Sequence, residues 1–540
     1  MPEAGSALGF HLIVPGARLP ADGAAAVGNK AWHLMQLARA GLPVPAAFVL
    51  PTGWCRARHG GAADDAALRL VLAAGIARLE AATGLGFGSG RRPLLVSVRS
   101  GGAVSMPGML ETVLDVGLTP TTVEGLMRLT GNPRLAWDSY RRLLQGYAEV
   151  VAGLPTAPFD ALVRDAVAAE QVDDECDLDH RALRCLTAAM LERFAVLAGA
   201  PFPDDPMEQL AQAAAAVFRS WDAPKAATYR RMNGVDDTAG TAVTVQVMVF
   251  GNAGGASGAG VGFTRDPASG APTLYFDFCF NGQGEDVVAG RRTSTDPDRL
   301  RRALPSVFDD LQAVAGRLEA QLHDAQDFEF TVQEGRLYLL QTRAAKRTPW
   351  AALRMAVNMV EEGLLTPGAA LARLDAIDVA AVVRTRFAAA QAAPLGTATV
   401  ASPGAASGPI AFTSAMAERL AADGTPAILV RPATETGDIA GMAQAAGILT
   451  ASGSRTSHAA VVARQLGKVC LVGCGALAID FALARCRIGE VVLGEGEVIS
   501  LDGNSGAIYR GAIAVVRERP ERELAIVAGW RREAETGRAA

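Results

Sequence analysis

A histidine near the C-terminal end of the chain, His458, stands at the predicted start of a helix. The apolar run 446–450 predicts a strand before it, and the apolar segment after it predicts a helix that ends near Gly467. Thr456 or Ser457 can cap that helix by accepting a hydrogen bond from a free backbone N–H. In the first turn the helix dipole favours a neutral, nucleophilic imidazole, and unpaired N–H groups suit a phosphoryl group. The residues therefore fit either a phosphohistidine or a histidine that only packs at a helix start.

A predicted β-hairpin carries a second group of chemically capable side chains. Two apolar runs flank a glycine-containing turn at residues 333–336. On the first strand, Asp327 and Glu329 alternate with phenylalanines and therefore share a face. Gln341 and Arg343 share a face of the second strand. If the two faces coincide, two carboxylates and an amide oxygen could hold Mg²⁺ beside an arginine placed for phosphate. The alternative is an exposed strand face with a salt bridge.

Cations elsewhere in the chain lie next to features that suit bound phosphate. Lys30 is predicted at a helix start, where a cation opposes the helix dipole and makes sense beside an anion. A solvated surface lysine is the alternative. Arg99 leaves a predicted strand for a glycine-rich loop, and a guanidinium beside glycine N–H groups suits a polyphosphate. Arg141 and Arg142, on a predicted helix, are either phosphate contacts or a solvated basic patch.

The length and composition limit the classes of protein to consider. With 540 residues, the chain should form three or four domains. The formal net charge of −5 argues against a nucleic-acid partner. The seven cysteines are scattered without a zinc-binding pattern, which favours reduced thiols in a cytoplasm. We expect no membrane partner, because no run of about 18 apolar residues is present.

The rest of the pattern assigns elements that position these residues. Residues 155–235 and 349–393 are predicted to be mainly helical, and 241–250 to be a strand. Six glycines within residues 251–262 predict a mobile turn or lid. From about residue 516, the charged, alanine-rich end predicts a helix with a frayed tail.

Three segments resemble one family, the pyruvate, phosphate dikinases. Thr-Ser-His-Ala-Ala-Val-Val-Ala-Arg (456–464) closely resembles its phosphohistidine domain. Val-Ser-Val-Arg-Ser-Gly-Gly-Ala-Val-Ser-Met-Pro-Gly-Met (96–109) resembles its nucleotide-binding half almost residue for residue, in the loop version associated with inorganic phosphate as cosubstrate. Asn-Gly-Gln-Gly-Glu-Asp (281–286) resembles it as well. The chain departs from the family at Ser454 and Arg455, where Gly-Met is usual. Arg455 could favour a bound phosphate or alter docking against a partner surface.

The resemblance covers residues from about 28 to about 511 and implies a fold. It implies an α/β and α+β multidomain protein, with an ATP-grasp nucleotide-binding unit followed by a swivelling phosphohistidine β/α domain. The implied divisions are an ATP-grasp domain at 1–345 with a helical subdomain at about 120–235, a helical linker at 346–393, the phosphohistidine domain at 394–512 and a C-terminal tail at 513–540.

The resemblance also implies roles for the residues already singled out. His458 would carry the phosphoryl group and Arg343 would assist its transfer, with ATP and Mg²⁺ as cofactors. The implied metal ligands are Asp327, Glu329 and Gln341. The implied nucleotide contacts are Lys30, Arg99, Glu285, Asp327, Glu329, Gln341 and Arg343. Thr456 matches a position that can be regulated by phosphorylation in the family.

The expected activity is that of a dikinase-like, ATP-dependent phosphotransferase in the cytoplasm. ATP and phosphate would phosphorylate His458 and give AMP and pyrophosphate. We expect this partial reaction only, because about thirty residues after 511 cannot form the (β/α)₈ barrel that binds pyruvate in the family. Pyruvate or another acceptor would then lie on a separate domain or subunit. The alternatives are a non-catalytic, nucleotide-binding regulator and a dikinase for a non-pyruvate acceptor. A homodimer is left open.

Overall fold

The computed structural model describes residues 9–61, 63–104, 106, 110–232, 234–288, 297–388, 393–453, 455 and 457–538. The chain divides into two compact units. Unit 1 is Met1–Ala253 with Tyr338–Thr342, and unit 2 is Gly254–Leu337 with Arg343–Ala540. Both units combine helices with sheets, so the protein is a multidomain α/β protein.

Unit 1 is built on an antiparallel sheet covered by helices. The described strands are β1 (His11–Ile13), β2 (Ala47–Leu50), β3 (Gly86–Phe87), β4 (Pro93–Leu94), β5 (Val96–Gly101), β6 (Thr112–Val116) and β7 (Ala242–Val247). Five of them form one sheet in the order β1-β2-β7-β5-β6. The described helices are α1 (Gly23–Arg39), α2 (Thr52–His59), α3 (Asp65–Thr83), α4 (Pro120–Thr130), α5 (Pro133–Val150), α6 (Ala157–Glu170), α7 (His180–Ala198), α8 (Pro206–Arg219) and α9 (Pro224–Met232).

Local sequence signals explain where the helices of unit 1 begin and end. In α4, the Thr119 side chain accepts from the N–H of Thr122 in a reciprocal capping box, and Pro120 occupies the first helical position. The helix ends at Gly131, which adopts φ 64° in the left-handed region. The helical prediction for residues 155–235 is confirmed by α6 to α9.

Unit 2 contains two larger sheets and several smaller ones. The described strands are β8 (Gly258–Phe263), β9 (Tyr275–Phe280), β10 (Gln326–Gln333), β11 (Arg336–Ala344), β12 (Arg384–Phe387), β13 (Gly396–Thr397), β14 (Thr399–Ser402), β15 (Ala405–Ala411), β16 (Ile428–Arg431), β17 (Gly447–Thr450), β18 (Val469–Val472), β19 (Leu477–Asp480), β20 (Arg485–Ile488), β21 (Val491–Gly494), β22 (Val498–Asp502), β23 (Ala507–Arg510) and β24 (Val515–Glu518). The described helices are α10 (Gly284–Val288), α11 (Pro297–Ala303), α12 (Pro305–Leu322), α13 (Pro349–Glu361), α14 (Pro367–Leu374), α15 (Ser414–Ala422), α16 (Ile439–Gln444), α17 (His458–Leu466) and α18 (Glu521–Arg538).

The first sheet of unit 2 has the strand order β11-β10-β8-β9. The predicted hairpin is confirmed, because β10 and β11 are joined by Glu334 and Gly335 at φ 50° and 76°. Two consecutive positive φ angles are those of a type I′ turn, whose twist matches that of the flanking strands.

The glycine-rich segment 251–262 is only partly a turn, so the prediction of a mobile lid over its whole length is wrong. Its last residues form β8, a buried strand between β10 and β9. Cβ atoms added at the three alternate glycines of β8 would lie 2.2 to 2.6 Å from the ring atoms of Phe278, Phe330 and Phe328. Glycine is required there because the phenylalanine rings occupy the space of a side chain, not because the backbone must move.

The second large sheet, which we call the eight-stranded sheet, has the order β13-β23-β22-β15-β16-β17-β18-β14. Strands β15 to β18 are parallel to one another, and the other pairs are antiparallel. Its two edge strands, β13 and β14, are separated in the chain by a single residue, Ala398, so the sheet is a nearly closed barrel. The predicted strand at 446–450 is confirmed as β17.

The two segments predicted as a helical linker and a C-terminal tail share one small core. The end of the chain is helical as predicted. The middle of α18 packs on the protein, because Val527 is buried together with Leu353 and Val357 of α13, while residues 531–536 are exposed. Strand β24 pairs with β12, which is a strand where residues 349–393 were predicted to be helical throughout. None of the helices in the described ranges has the length and apolar content that crossing a bilayer requires.

Candidate functional site

The glycine-rich loop after β5 contacts a kink in α1. Gly28 interrupts the helix with φ 77° and ψ 154°, and a Cβ atom there would lie 2.2 Å from the carbonyl oxygen of Gly101. The N–H of Asn29 donates to the carbonyl of Gly102 at 3.0 Å. Lys30 follows in the first turn after the kink, next to Gly101 and half-buried. The structure therefore places Lys30 at the start of a helical segment beside the loop, as the sequence predicts.

Arg99 is the third residue from the end of β5. It lies against Tyr338–Thr342, the part of β11 that belongs to unit 1. Its Nη1 donates to the carbonyl of Leu340 at 3.4 Å and to Oε1 of Gln246 at 3.5 Å. The same segment is bonded to α1, where Nδ1 of His33 lies 2.8 Å from the carbonyl oxygen of Thr342. Gln341 is next to Leu340 in the chain and half-buried. Unit 1 thus brings together the surroundings of Arg99 and Gln341.

Arg141 and Arg142 contact a buried carboxylate, not solvent. Nη2 of Arg141 donates to Oδ1 of Asp138 at 2.8 Å, and Nε of Arg142 donates to Oδ2 at 3.1 Å. Nδ2 of Asn252 donates to the same Oδ2 at 3.0 Å. Burial alone would raise the pKa of Asp138, but Arg142 and Arg141 outweigh it and hold that pKa well below its usual range. The solvated patch considered from the sequence is therefore wrong for Arg141, which is 2% exposed.

In unit 2, Asp327 and Arg343 form an ion pair at the beginning of β10 and the end of β11. Nε of Arg343 donates to Oδ2 of Asp327 at 2.7 Å. Asp327 is 5% exposed, and its burial raises its pKa even though Arg343 opposes the change. The charge of Glu329, two residues along the same face of β10, raises that pKa further. Asp327 is therefore harder to ionise than an exposed aspartate, mainly because it is buried, although Arg343 and Arg464 both favour its charged form.

A cavity of about 250 Å³ lies beside this pair. Asp327, Arg343, Lys346 and Arg347 line it from the hairpin side, and Val461 and Arg464 line it from α17. Arg347 is bound to Asp324 by two hydrogen bonds of 2.7 and 3.2 Å. Burial and the neighbouring Arg343 lower the pKa of Lys346. The cavity therefore combines one buried carboxylate with several cations, which suits a metal-bound anion such as a nucleotide polyphosphate.

Helix α17 begins at His458 and ends before Gly467, which has φ 64°, as the sequence predicts. Ser457 occupies the N-cap position with extended backbone angles, but its side chain makes no cap hydrogen bond with the described residues. The predicted capping role is thus not fulfilled by the Ser457 side chain. The side chains of His458 and Glu285 and the whole of Thr456 lie outside the described part of the structure, as do Ser105 and residues 107–109 of the loop after β5.

Sequence reasoning missed the cations that line the cavity with Arg343. Lys346 and Arg347 follow β11 directly, and Arg464 lies six residues after His458. The position of the first two, just past a strand that already carried a candidate arginine, was a usable signal. For Arg464 no such signal existed, because the sequence alone does not pair α17 with β10.

The described residues contain no group of three or more histidine, cysteine, aspartate or glutamate side chains arranged to hold a metal ion. The predicted magnesium ligands are two carboxylates and one amide, so they do not make up such a group of three. All seven cysteines are free, and burial raises the pKa values of Cys470 and Cys474.

Two family models match parts of the chain. Residues 65–308 match the model described as "Pyruvate phosphate dikinase, AMP/ATP-binding domain". Residues 424–506, which include α17 with His458, match "PEP-utilising enzyme, mobile domain". Arg99 and Glu285 lie in the first match and His458 in the second, whereas Lys30 and the hairpin residues from Asp327 to Arg343 lie outside both. The nucleotide predicted for the first region agrees with the description of its model.

Curated proteins extend the match over nearly the whole chain. Pyruvate, phosphate dikinase from Clostridium symbiosum is 42% identical over 493 residues, which are 90% of this chain. The chain is a relative of the pyruvate, phosphate dikinases. The dikinase from Rhizobium meliloti is 40% identical over 93% of this chain, and the chloroplastic dikinase 1 from Zea mays is 42% identical over 90%. The match covers 56%, 58% and 52% of these three dikinases, so the chain spans about half the length of the curated relatives it matches.

Proposed function

We propose that the chain is an ATP-dependent phosphotransferase of the pyruvate, phosphate dikinase type, with His458 as the phosphoryl carrier. The observation that carries the proposal is the cavity beside the Asp327–Arg343 pair, which Val461 and Arg464 of α17 also line. The helix that starts at His458 thereby shares a cavity with the carboxylate and arginine proposed to act on the nucleotide. The two matching family models, one for AMP/ATP binding and one for a mobile domain, support the same reading.

The proposed reaction divides the three phosphoryl groups of ATP among three products. An imidazole nitrogen of His458 bonds to the β-phosphorus, and the bond between the α,β-bridging oxygen and that phosphorus breaks, so that AMP leaves with the electron pair. An oxygen of inorganic phosphate bonds to the γ-phosphorus, and the bond between that phosphorus and the β,γ-bridging oxygen breaks, so that pyrophosphate leaves and the bridging oxygen stays on the β-phosphoryl group. The β-phosphoryl group remains on His458.

The cations are proposed to neutralise phosphate charge. Lys30 and Arg99 would bind phosphate oxygens beside the glycine-rich loop, and Arg343 would do so at the cavity. Phosphoryl transfer needs little covalent chemistry from the protein, because positioning and charge stabilisation supply most of the rate. Glu285 and Gln341 stay predicted nucleotide contacts.

The residues at the cavity fit a hard divalent cation. Asp327 and Glu329 offer carboxylate oxygens on one strand face, and Mg²⁺ prefers a few such ligands together with nucleotide phosphates and water. Burial is the main reason that the pKa of Asp327 is raised, and a bound cation would stabilise its ionised form. Mg²⁺ bound there would supply neutralisation of the nucleotide phosphates. Gln341 remains the predicted third ligand.

The position of His458 favours a neutral nucleophile. It is the first residue of α17, where the helix dipole disfavours a protonated imidazole. Ser457 leaves the first turn without a side-chain cap among the described residues, so a phosphoryl group on His458 would find backbone donors there.

The position of the ³²P label in ATP tests whether His458 takes the β-phosphoryl group. Incubation with Mg²⁺, phosphate and [β-³²P]ATP should label the chain on His458 with an acid-labile, base-stable phosphate, and [γ-³²P]ATP should leave the chain unlabelled. Label from the γ-position, or label that survives His458→Asn, would contradict the proposal. Binding of ATP without label from either position would instead indicate a nucleotide-binding regulator.

We propose pyruvate as the acceptor of the phosphohistidine, since the names of the relatives contain it. Labelled chain mixed with pyruvate, alone or with an isolated dikinase barrel, should lose label and form labelled phosphoenolpyruvate. Retained label in both mixtures, with loss to another carbonyl acid, would favour a different acceptor.

A further inference from the structure

Two aromatic rings of unit 2 face two arginines that belong to the region around His458. Phe263 of β8 and Tyr275 of β9 are opposite each other in the strand register, with ring centroids 6.0 Å apart. The guanidinium carbon of Arg455 lies 4.8 Å from the Tyr275 centroid, and that of Arg464 lies 5.7 Å from the Phe263 centroid. Each arginine is thus at cation–π distance from one ring.

Hydrogen bonds join the Arg464 side chain to the backbone of Arg455 and to β14. Nη1 of Arg464 donates to the carbonyl of Arg455 at 2.9 Å and to the carbonyl of Ala401 in β14 at 2.9 Å. Arg464 is 5% exposed, so both bonds are shielded from water. Arg464 of α17 is therefore bonded both to Arg455, three residues before His458, and to the eight-stranded sheet.

Tyr275 adds a directed bond to the same contact. Its hydroxyl donates to the carbonyl of Val400 in β14 at 3.0 Å. Burial raises the pKa of Tyr275, so the hydroxyl remains a neutral donor throughout the physiological range. One tyrosine thus contacts two separate segments of the region that bears His458.

We propose that Phe263 and Tyr275 form a docking surface that orients the turn before His458 for phosphoryl transfer. Arg455 and Arg464 are the residues that contact this surface. This inference rests on the proposed function of His458. Arg455 and Tyr275 are positioning residues, because they act through the turn and α17 and not on the reacting atoms, whereas Arg464 also lines the proposed nucleotide cavity. Arg455 stands where methionine is usual in the resembling family, and methionine lacks the charge, so this chain would use a docking contact of its own.

A double-mutant cycle tests the proposal. Single-turnover labelling of His458 by [β-³²P]ATP should slow about tenfold in Arg455→Met and in Tyr275→Leu, while the affinity for ATP is unchanged. The double variant should be about as slow as either single variant, since both remove the same contact. Tyr275→Phe, which keeps the ring and loses the hydroxyl, should fall between the wild-type chain and Tyr275→Leu.

Arg301→Met serves as the matched control. The guanidinium carbon of Arg301 lies 4.5 Å from the ring centroid of Phe308, and neither residue belongs to the docking surface. Its labelling rate should equal that of the wild-type chain. Additive losses in the double variant, or an equal loss in Arg301→Met, would overturn the docking role.

Hydrogen exchange separates this inference from the proposed function. Amides in the first turns of α17 should exchange about fivefold faster in Arg455→Met and Tyr275→Leu than in the wild-type chain, whether or not His458 is labelled. Faster exchange together with an unlabelled wild-type chain would support the docking surface and contradict the carrier role. Unchanged exchange in both variants would overturn the docking surface while leaving the carrier role intact.

Discussion

Each unit of the protein contains a buried aspartate bonded to arginine, but the two aspartates differ in how completely their charge is compensated. In unit 1, Asp138 accepts from Arg141, Arg142 and Asn252, and its pKa is lowered. In unit 2, Asp327 accepts from Arg343, lies beside Glu329, and has a raised pKa. The charge of Asp138 is compensated by two guanidinium groups, whereas burial outweighs the arginine at Asp327, so that a bound cation would further stabilise its ionised form. The second arrangement is the one that we propose for catalysis.

Of the two aspartates, Asp327 should have the larger effect on activity when its charge is lost. Asp327→Asn preserves the shape of the side chain but removes a proposed metal ligand and the partner of Arg343. We expect the rate of His458 labelling to fall by a factor of about 10³, in line with the loss of about 4 kcal/mol of transition-state stabilisation. Asp138→Asn, corrected for its folded fraction, is the control and should label within about threefold of the wild-type rate. Equal losses in the two variants would remove the distinction between the two carboxylates.

Loss of the Asp138 charge should instead have the larger effect on stability. Asp138→Asn leaves two arginines, one of them 2% exposed, without their anion. Removing one partner of such a buried cluster costs about 3–5 kcal/mol of unfolding free energy. Urea unfolding followed by the fluorescence of tryptophans in unit 1, such as Trp54 and Trp221, measures this cost. A loss below about 1 kcal/mol would show that the Asp138 cluster contributes no more than an exposed pair.

Through the two aspartates, the free energy of unfolding should depend on pH in opposite directions. Because the folded-state pKa of Asp138 is lowered, its contribution is present above about pH 4 and is lost as the pH falls below that value. The folded-state pKa of Asp327 is raised, so its ionisation opposes folding as the pH rises above about 4.

The differences in unfolding free energy between the wild-type chain and each Asn variant, measured from pH 3 to 7, test these signs. The difference for Asp138→Asn should shrink toward low pH, and that for Asp327→Asn should shrink toward neutral pH. Parallel curves for the two variants would contradict the opposite charge balance.

Magnesium should produce the smallest of these effects. At a Mg²⁺ concentration ten times its dissociation constant, binding to the folded state should add about 1.4 kcal/mol to the stability of unit 2. The shift should persist in Asp138→Asn and disappear in Asp327→Asn, as measured by thermal unfolding with and without a chelator. A shift that is unchanged in Asp327→Asn would place the metal elsewhere.

Much of the local structure could be predicted from the sequence because the signals were local. The hairpin around Glu334 and Gly335, strand β17 and the start and end of α17 depend on alternation, turn residues and a terminal glycine. Recognition of the family succeeded for a similar reason, since the distinguishing segments are continuous in the chain.

The features that sequence reasoning missed depend on contacts between distant segments. Composition suggested a lid at residues 251–262, but the glycines of β8 are explained by three phenylalanine rings from β9 and β10. The sequence left two alternatives open for the arginines of α5, because the burial of Asp138 beside them depends on distant segments, such as that of Asn252, which lies 114 positions from it. The shared cavity of Asp327 and Arg464 likewise appears only when α17 is placed beside β10 and β11.

The most direct test of the central claim is the rate of AMP formation from ATP in the presence of Mg²⁺ and phosphate, compared between the wild-type chain and His458→Asn. Asparagine preserves the size and polarity of the side chain but cannot carry the phosphoryl group. The account predicts that AMP and pyrophosphate formation in His458→Asn falls to the uncatalysed background, while ATP still binds. AMP formation by that variant at the wild-type rate would contradict the phosphohistidine relay.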